Sequence, residues 1–152
     1  MPPVRVRRTA RLPHAATQLG QLSHSLLRLL VTPVAEPPRF VDPREPGNFA
    51  ARVDEHTRAL FVESASNPDG IVADLEAIAA VAHANGIPLV VDNTLPTPYL
   101  CQPLKWGADI VVHSMTKYLG GQGNSVGGAI VEGGRFDWAN GKFPLLSEPT
   151  ES

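Results

Sequence analysis

The sequence contains a single cysteine, Cys101, in 152 residues, and so no pair that could form an internal disulfide. A chain without disulfides suits a reducing compartment, and the cytoplasm is the expected location. Because PYLCQPL places no base beside Cys101, we interpret this residue as a small buried apolar side chain rather than a nucleophile. No apolar run approaches the ~20 residues that cross a bilayer, so no membrane contact is expected.

Several other function classes lack their usual signals. The five histidines show no metal-ligand spacing such as HExxH, and no metal site is predicted. Aromatic residues make up only 6% of the chain, and basic residues do not interleave with Trp106, Phe136 or Trp138 as they do in a nucleic-acid stacking surface. We expect these three rings to be anchors of packing or of a subunit interface. The loop GGQGNSVGG (120–128) has neither the GxGxxG order nor the GK[ST] ending of nucleotide-binding loops.

What is present is an ordinary composition, with 43% hydrophobic and 18% charged residues, attached to an unusual beginning. Residues 1–39 hold six arginines against one acid, Glu36. We therefore divide the chain into an atypical Arg-rich leader, 1–38, and a domain, 39–152. A basic leader could be a transit peptide or a nucleic-acid arm, yet this one lacks an apolar core followed by a small-residue cleavage site.

Short apolar runs alternating with a helical period predict an α/β fold. Five segments are typical of strands: RFVD (39–42), RALFVES (58–64), IPLVVDN (87–93), DIVVHS (109–114) and GGAIVEGG (127–134). Apolar residues at i, i+3, i+4 and i+7 predict a helix over 72–86 that Gly86 ends, and CQPLKWG leaves room for a short helix. This order implies right-handed crossovers and a mainly parallel sheet flanked by helices.

The residues that could take part in catalysis or binding directly follow the predicted strands. Ligands of open α/β sheets bind beyond the carboxyl ends of the strands, and there the sequence places acids, amides, hydroxyls and an amine. An acid and an amine at one edge suit pyridoxal phosphate, whose aldehyde needs a lysine and whose ring nitrogen needs an anionic partner. Lys117 and Asp92 fit these two roles, and Ser114 and Thr116 can donate hydrogen bonds to a phosphate. Taken singly, each residue also has an ordinary interpretation as a surface, turn or capping residue.

The motifs ESASNP, VVDNT and HSMTKYLGG, at this spacing, resemble the Cys/Met-metabolism family of pyridoxal-phosphate enzymes. The resemblance covers roughly residues 39–150 and implies part of the large domain of a fold-type-I, aspartate-aminotransferase-like enzyme. It implies that Lys117 is the catalytic Schiff-base lysine and that Asp92 is the partner of the pyridine nitrogen. It further implies roles for four cofactor-binding residues: the phosphate ligands Ser114 and Thr116, Asn67 at the phenolic oxygen, and Thr94 under the ring.

The final stretch, GGRFDWANGKFPLLSEP, is more similar to the O-acetylhomoserine sulfhydrylase branch than to the others. This branch implies γ-replacement, in which acetate leaves O-acetylhomoserine and sulfide or a thiol adds to give homocysteine or methionine. The partners are then an amino-acid substrate, sulfide or a thiol, and further copies of the full-length chain in a tetramer built from dimers. Cystathionine γ-synthase, cystathionine γ-lyase and methionine γ-lyase activities are the alternatives within the family.

Some of the family pattern is missing from this sequence. We find no upstream glycine-rich turn for the phosphate, no stacking tyrosine, and no C-terminal domain with an arginine for the substrate carboxylate. We therefore expect a fragment from a truncated or frame-shifted gene, and a non-catalytic remnant is the second hypothesis. A nucleic-acid-binding protein that uses the basic leader is the third. Exposed sheet edges in such a fragment favour self-association.

Overall fold

The computed structural model describes residues 38–147, and the predicted leader lies outside them apart from Pro38. These residues form one four-stranded sheet in the order β1-β2-β3-β4. The strands are β1 (Leu60–Glu63), β2 (Leu89–Asp92), β3 (Ile110–Ser114) and β4 (Gly128–Glu132). β1, β2 and β3 run parallel to one another, whereas β4 runs antiparallel to β3. The sheet is therefore mainly parallel, as the sequence predicts.

Short helices connect the strands. They are α1 (Gly47–Ala50), α2 (Leu75–Ala84), α3 (Thr97–Leu100) and α4 (Pro144–Ser147), with a 3-10 helix at Pro103–Trp106 and a π-type turn at Met115–Leu119. Only α2, with ten residues, exceeds five residues within 38–147. Nowhere in this range is a helix long and apolar enough to cross a membrane.

The core lies between α2 and one face of the sheet. The buried side of α2 presents Leu75, Ile78, Ala79 and Ala82, the positions that its periodicity predicts. The face of the sheet that packs on α2 also presents buried apolar residues, and the strand register places them side by side. They are Leu60, Val62, Leu89, Val91 and Val111. The chain that leaves the 3-10 helix toward β3 passes so close to α2 that a Cβ on Gly107 would lie 2.7 Å from the Ala79 Cβ. Gly107 also has a φ of +91°, so only glycine suits this crossing.

Two predicted elements differ from the structure. The prediction of a strand at 39–42 is wrong, because side chains there satisfy local backbone and ionic partners instead of a neighbouring strand. Arg39 pairs with Asp54 and donates to the Arg52 carbonyl, and Asp42 pairs with Arg44.

The helix predicted over 72–86 is shorter at both ends. It begins at Leu75 because the Asp74 carboxylate caps it, accepting the Ala77 N–H at 3.0 Å. Gly86, with a φ of +61°, follows its last turn as predicted. The 3-10 helix lies within CQPLKWG (101–107), where the sequence leaves room for a short helix. The single turn of α3, which precedes this segment, was not predicted.

Candidate functional site

The carboxyl ends of the three parallel strands lie together at one edge of the sheet, and the candidate residues lie along this edge. Glu63 pairs in register with Asp92, and Asp92 pairs with Val112. Because side chains alternate along a strand, Asp92, Val112 and Ser114 point to the same face, opposite α2. The structure therefore brings the predicted acid and the first predicted phosphate ligand to one side of one edge.

Two hydrogen bonds join this acid to the end of β3 through Thr94. Asp92 Oδ1 accepts the Thr94 N–H at 2.9 Å, and Thr94 Oγ1 accepts the Ser114 N–H at 2.8 Å. The Thr94 hydroxyl acts as an acceptor in the second bond, so its own proton stays available for a ligand. Asp92, Thr94 and Ser114 thus form one connected unit, with all three side chains half-buried.

Lys117 lies in the π-type turn that follows β3 directly. The Gly120 N–H donates to the Met115 carbonyl, five residues earlier, at 2.8 Å, and the Gly121 N–H donates to the Lys117 carbonyl at 2.9 Å. Gly120 leaves no room for a side chain, because a Cβ there would lie 2.6 Å from the Met115 oxygen. Lys117 itself has a non-helical backbone, with φ −88° and ψ −125°, and an exposed side chain. Such turns re-aim side chains and are frequent at functional sites.

Thr116 is bound to the glycine-rich loop that follows the lysine. Its Oγ1 accepts the Gly127 N–H at 3.0 Å, and its hydroxyl lies 3.3 Å from the Gly127 carbonyl. The Ser114 hydroxyl, by contrast, has no hydrogen-bond partner within residues 38–147. Of the two predicted phosphate ligands, Ser114 is therefore the more accessible, and Thr116 also supports the loop.

Asn67 occupies the tip of the loop between β1 and α2, with its side chain exposed. The arms of the loop are closed by the Ser66 N–H to the Ile71 carbonyl at 2.9 Å and by the Ile71 N–H to Ser66 Oγ at 3.0 Å. The Asn67 N–H donates to Glu63 Oε2 at 3.0 Å. Asn67 is thus tied to the end of β1, the strand beside Asp92, although neither Asn67 nor Lys117 bonds to Asp92 directly.

A second row of polar residues lies at the same edge on the buried face, and no role is predicted for it from the sequence. Asn93 is fully buried; its Oδ1 accepts from Ser64 Oγ at 2.7 Å, and its Nδ2 donates to the Cys101 carbonyl at 2.9 Å. These bonds hold the backbone between Asp92 and Thr94. The sequence did contain a signal for the buried role of Asn93. An amide directly follows a buried strand there, and the alternation of side chains along the strand places it on the core side.

His113 and Cys101 complete this buried side. His113 is 7% exposed and packs at the end of β3, and its buried Nδ1 has no hydrogen-bond partner among residues 38–147. Burial raises the pKa of the Cys101 thiol. Because a thiol with a raised pKa is a poor nucleophile at neutral pH, this environment agrees with an inert cysteine.

Other candidate features lie elsewhere. A cavity of about 400 Å³ opens at the opposite edge of the sheet, where Asp109 accepts the Leu89 N–H at 2.8 Å and contacts His83 Nε2 at 2.9 Å. Those contacts bind α2 to the starts of β2 and β3 and are structural. Within residues 38–147 no three acidic, histidine or cysteine side chains are grouped to hold a metal.

The aromatic residues near the end of the described range pack on one another. Phe136, Trp138 and Phe143 make edge-to-face contacts with ring centroids 4.7 to 5.7 Å apart. This cluster confirms the packing prediction for Phe136 and Trp138. Trp106, the third predicted anchor, is 53% exposed.

Comparison with known proteins defines the class. The family model described as "Cys/Met metabolism PLP-dependent enzyme" matches residues 17–146. The chain belongs to this pyridoxal-phosphate-dependent family, which confirms the resemblance found in its motifs. The match begins at residue 17, inside the predicted atypical leader, residues 1–38.

The relatives give a finer similarity. The chain is 46% identical over 138 residues to O-acetyl-L-homoserine sulfhydrylase of Leptospira meyeri, covering 91% of this chain and 31% of the relative. It is 49% identical over 116 residues to homocysteine/cysteine synthase of Saccharomyces cerevisiae, covering 74% and 26%. The chain thus spans about a third of the length of the curated relatives that it matches.

A solved structure shows the same architecture. It is described as an O-acetylhomoserine (thiol)-lyase of Campylobacter jejuni and carries N′-pyridoxyl-lysine-5′-monophosphate. It superposes with a TM-score of 0.71 at 34% identity, covering 79% of this chain and 30% of that one. This similarity confirms the predicted fold class, an α/β part of a fold-type-I pyridoxal-phosphate enzyme.

Proposed function

We propose that the chain is part of the cofactor-binding domain of a pyridoxal-phosphate enzyme of the O-acetylhomoserine sulfhydrylase type. The observation that carries this proposal is the hydrogen-bonded link from Asp92 through Thr94 to Ser114, directly before the turn that presents Lys117. An acid, hydroxyls and an amine at one edge are the groups that this cofactor needs from a protein. Residues 39–152 belong to this domain, and the atypical character of residues 1–38 stays a prediction.

The roles of the site residues follow from their chemistry. Lys117 Nζ would bind the aldehyde carbon of the cofactor, and the exposure of its side chain leaves the amine reachable. Asp92 would keep a proton on the ring nitrogen by remaining anionic beside it. Ser114 and Thr116 would donate hydrogen bonds to the phosphate, for which Thr116 would turn its hydroxyl proton away from the Gly127 carbonyl.

Two residues would act on the ring itself. Asn67 would donate to the phenolic oxygen from the loop after β1, and the free proton of the Thr94 hydroxyl would face the ring from below. When bound, the cofactor withdraws electrons from the α-carbon of the substrate. Lys117, once released by the substrate amine, would then carry protons to and from the substrate carbons.

The whole protein would catalyse γ-replacement. Acetate would leave the γ-carbon of O-acetylhomoserine, and sulfide or a thiol would add there, giving homocysteine or methionine. The sulfhydrylase and homocysteine synthase relatives favour this reaction over the cystathionine γ-synthase, cystathionine γ-lyase and methionine γ-lyase alternatives. A non-catalytic remnant is the second candidate.

The family resemblance supports a homo-oligomer, a tetramer built from dimers, for the whole protein. A cytoplasmic location is favoured by the single cysteine, which excludes an internal disulfide. Neither nucleic acid nor a membrane is a partner in this proposal.

The test is to add pyridoxal phosphate to the purified chain and to follow the visible band of a lysine-bound cofactor. Borohydride should then fix the label on Lys117, as read by peptide mass spectrometry. Lys117→Ala should abolish the band and the label, whereas Lys105→Ala, which removes another exposed lysine, should change neither. Equal labelling of the Lys117→Ala chain would refute the site. Turnover of O-acetylhomoserine and sulfide to homocysteine separates the enzyme from the remnant.

A further inference from the structure

We infer that Glu63 is a positioning residue of this site, which holds Asn67 at the distance from Asp92 that the cofactor ring requires. The inference deepens the proposed function and rests on the contact proposed there between Asn67 and the phenolic oxygen. Glu63 itself touches no reacting atom in this scheme. Its role is carried by the backbone N–H of Asn67.

The loop that carries Asn67 is held by several backbone hydrogen bonds at its base, but Asn67 at its tip makes one hydrogen bond. Backbone bonds join Ser66 to Ile71 and Gly70, and Ala73 to Ser64, so the two arms are held to each other. None of these bonds involves Asn67. Among residues 38–147, the one hydrogen bond of Asn67 is its N–H to Glu63 Oε2, at 3.0 Å.

Glu63 is well placed to orient this tip because it belongs to the sheet. It is the last residue of β1, half-buried, and its Cα pairs in register with that of Asp92. Both carboxylates therefore stand on the same face of adjacent parallel strands at the same edge. A carboxylate acceptor also makes a stronger hydrogen bond to an N–H than a neutral acceptor does.

The chemistry of the cofactor explains why such a connection matters. Asp92 and Asn67 are proposed to bind two different atoms of one rigid ring, the nitrogen and the phenolic oxygen. Their separation must therefore stay constant, although one residue ends a strand and the other lies in a loop. The path from Asp92 across the strand pair to Glu63 and on to the Asn67 N–H supplies this constraint.

Loss of the Glu63 carboxylate should release the tip of the loop. Asn67 would then donate to the phenolic oxygen for a smaller fraction of the time, and the negative charge on that oxygen would be less stabilised. The pH at which the visible band of the lysine-bound cofactor titrates should therefore rise, by up to about one unit for the loss of one hydrogen bond. Glu63→Gln keeps an acceptor oxygen and should restore most of the original midpoint.

The experiment uses the full 152-residue chain and reads the contact without cofactor first. In amide hydrogen exchange by NMR, the Asn67 N–H should exchange about tenfold faster in Glu63→Ala, the loss expected for one hydrogen bond. It should stay protected in Glu63→Gln. The Ser66 N–H, bonded to the Ile71 carbonyl, is the internal reference. Glu45→Ala is the matched control, because the Glu45 side chain makes no hydrogen bond within the described range.

The absorbance titration then follows with pyridoxal phosphate added. Glu63→Ala should shift the midpoint in the same direction as Asn67→Ala, and the double variant should shift it no further than Asn67→Ala alone. Unchanged exchange at Asn67 in Glu63→Ala would overturn the inference. Faster exchange with an unshifted midpoint would overturn the positioning role and leave the cofactor site standing. A visible band missing from the unsubstituted chain would instead overturn the proposed function, and the inference with it.

Discussion

Thr94 and Ser114 are joined across the ends of β2 and β3 by a hydrogen bond of 2.8 Å, in which the hydroxyl oxygen accepts a backbone N–H. Ser114 is the last residue before the turn that carries Lys117. The bond therefore determines where the amine-bearing turn leaves the sheet. Thr94 also donates its own N–H to Asp92. Thr94 therefore connects the acid with the end of the strand from which the Lys117 turn begins.

Thr94→Val should break the hydrogen bond between the Ser114 N–H and residue 94 while keeping the shape of the side chain. The Ser114 N–H would lose its acceptor, at a cost of about 1–3 kcal/mol to the free energy of unfolding. Borohydride labelling of Lys117 should fall several-fold, because the turn is no longer held. Thr94→Ser keeps the oxygen and should behave like the original chain in urea unfolding and in labelling; equal losses in Thr94→Val and Thr94→Ser would contradict the role of the hydroxyl.

Gly120→Ala tests the turn itself. The added Cβ would lie 2.6 Å from the Met115 oxygen, so the turn must open and Lys117 must point elsewhere. We expect labelling of Lys117 to fall at least tenfold, while circular dichroism and the urea midpoint change little, because the turn is exposed at the sheet edge. Gly47→Ala is the matched control, since a Cβ at Gly47 meets no atom within 4 Å. Full labelling of Gly120→Ala would show that the turn geometry does not matter.

Asn93→Ala should destabilise the chain through its buried hydrogen bonds. It removes the acceptor at 2.7 Å from the Ser64 hydroxyl, which keeps only the longer contact of 3.3 Å to the Asp92 carbonyl. It also leaves the Cys101 carbonyl without a hydrogen-bond donor among residues 38–147, and the two losses together cost about 2 kcal/mol. Ser64→Ala removes one of these bonds and should cost about 1 kcal/mol. The double variant should be less destabilised than the sum of the two, because both act on the same contact. Strict additivity in urea unfolding would indicate that the two side chains do not interact.

Low pH should reduce the stability of the segment that precedes β1. The hydrogen bond from Arg39 lowers the pKa of Asp54 to about 2. In the unfolded chain this carboxyl has a pKa near 3.9. The pair therefore contributes stability above that value, and the contribution is lost as the pH falls toward about 2. Asp54→Asn and Arg39→Gln should both flatten the fall in thermal midpoint across this window, and an unchanged slope in either variant would exclude the pair as its source.

The outer strand should mediate self-association. Ile130 on β4 is 65% exposed, and β4 is one of the two edge strands of the described sheet. An apolar side chain on an open strand edge offers a surface for pairing with another copy. Sedimentation velocity should show concentration-dependent association of the original chain and less of it for Ile130→Lys. Leu146→Lys, which changes an exposed leucine on α4, should have a smaller effect.

The sequence alone determined which segments form the sheet and which residues lie at the candidate site beyond the strand ends. The runs at 58–64, 87–93, 109–114 and 127–134 become strands because β-branched apolar residues repeat there between turn-forming residues. The motif residues could be named for the same local reason, since an acid or lysine after a strand must emerge at the strand end. The run at 39–42 was predicted as a strand on the same kind of pattern, but Arg39 and Asp42 at its two ends pair with nearby charged residues and no strand forms there.

Only the tertiary structure decided how the edge is held together. Ser64 meets Asn93 across 29 positions, and Thr94 meets Ser114 across 20. The direction of β4, antiparallel to β3, likewise cannot be read from its own residues. Side-chain periodicity is a local property, whereas the pairing of a given hydroxyl with a given N–H depends on the register between strands. That register is set by the packing of α2 on the sheet and therefore exists only in the folded chain.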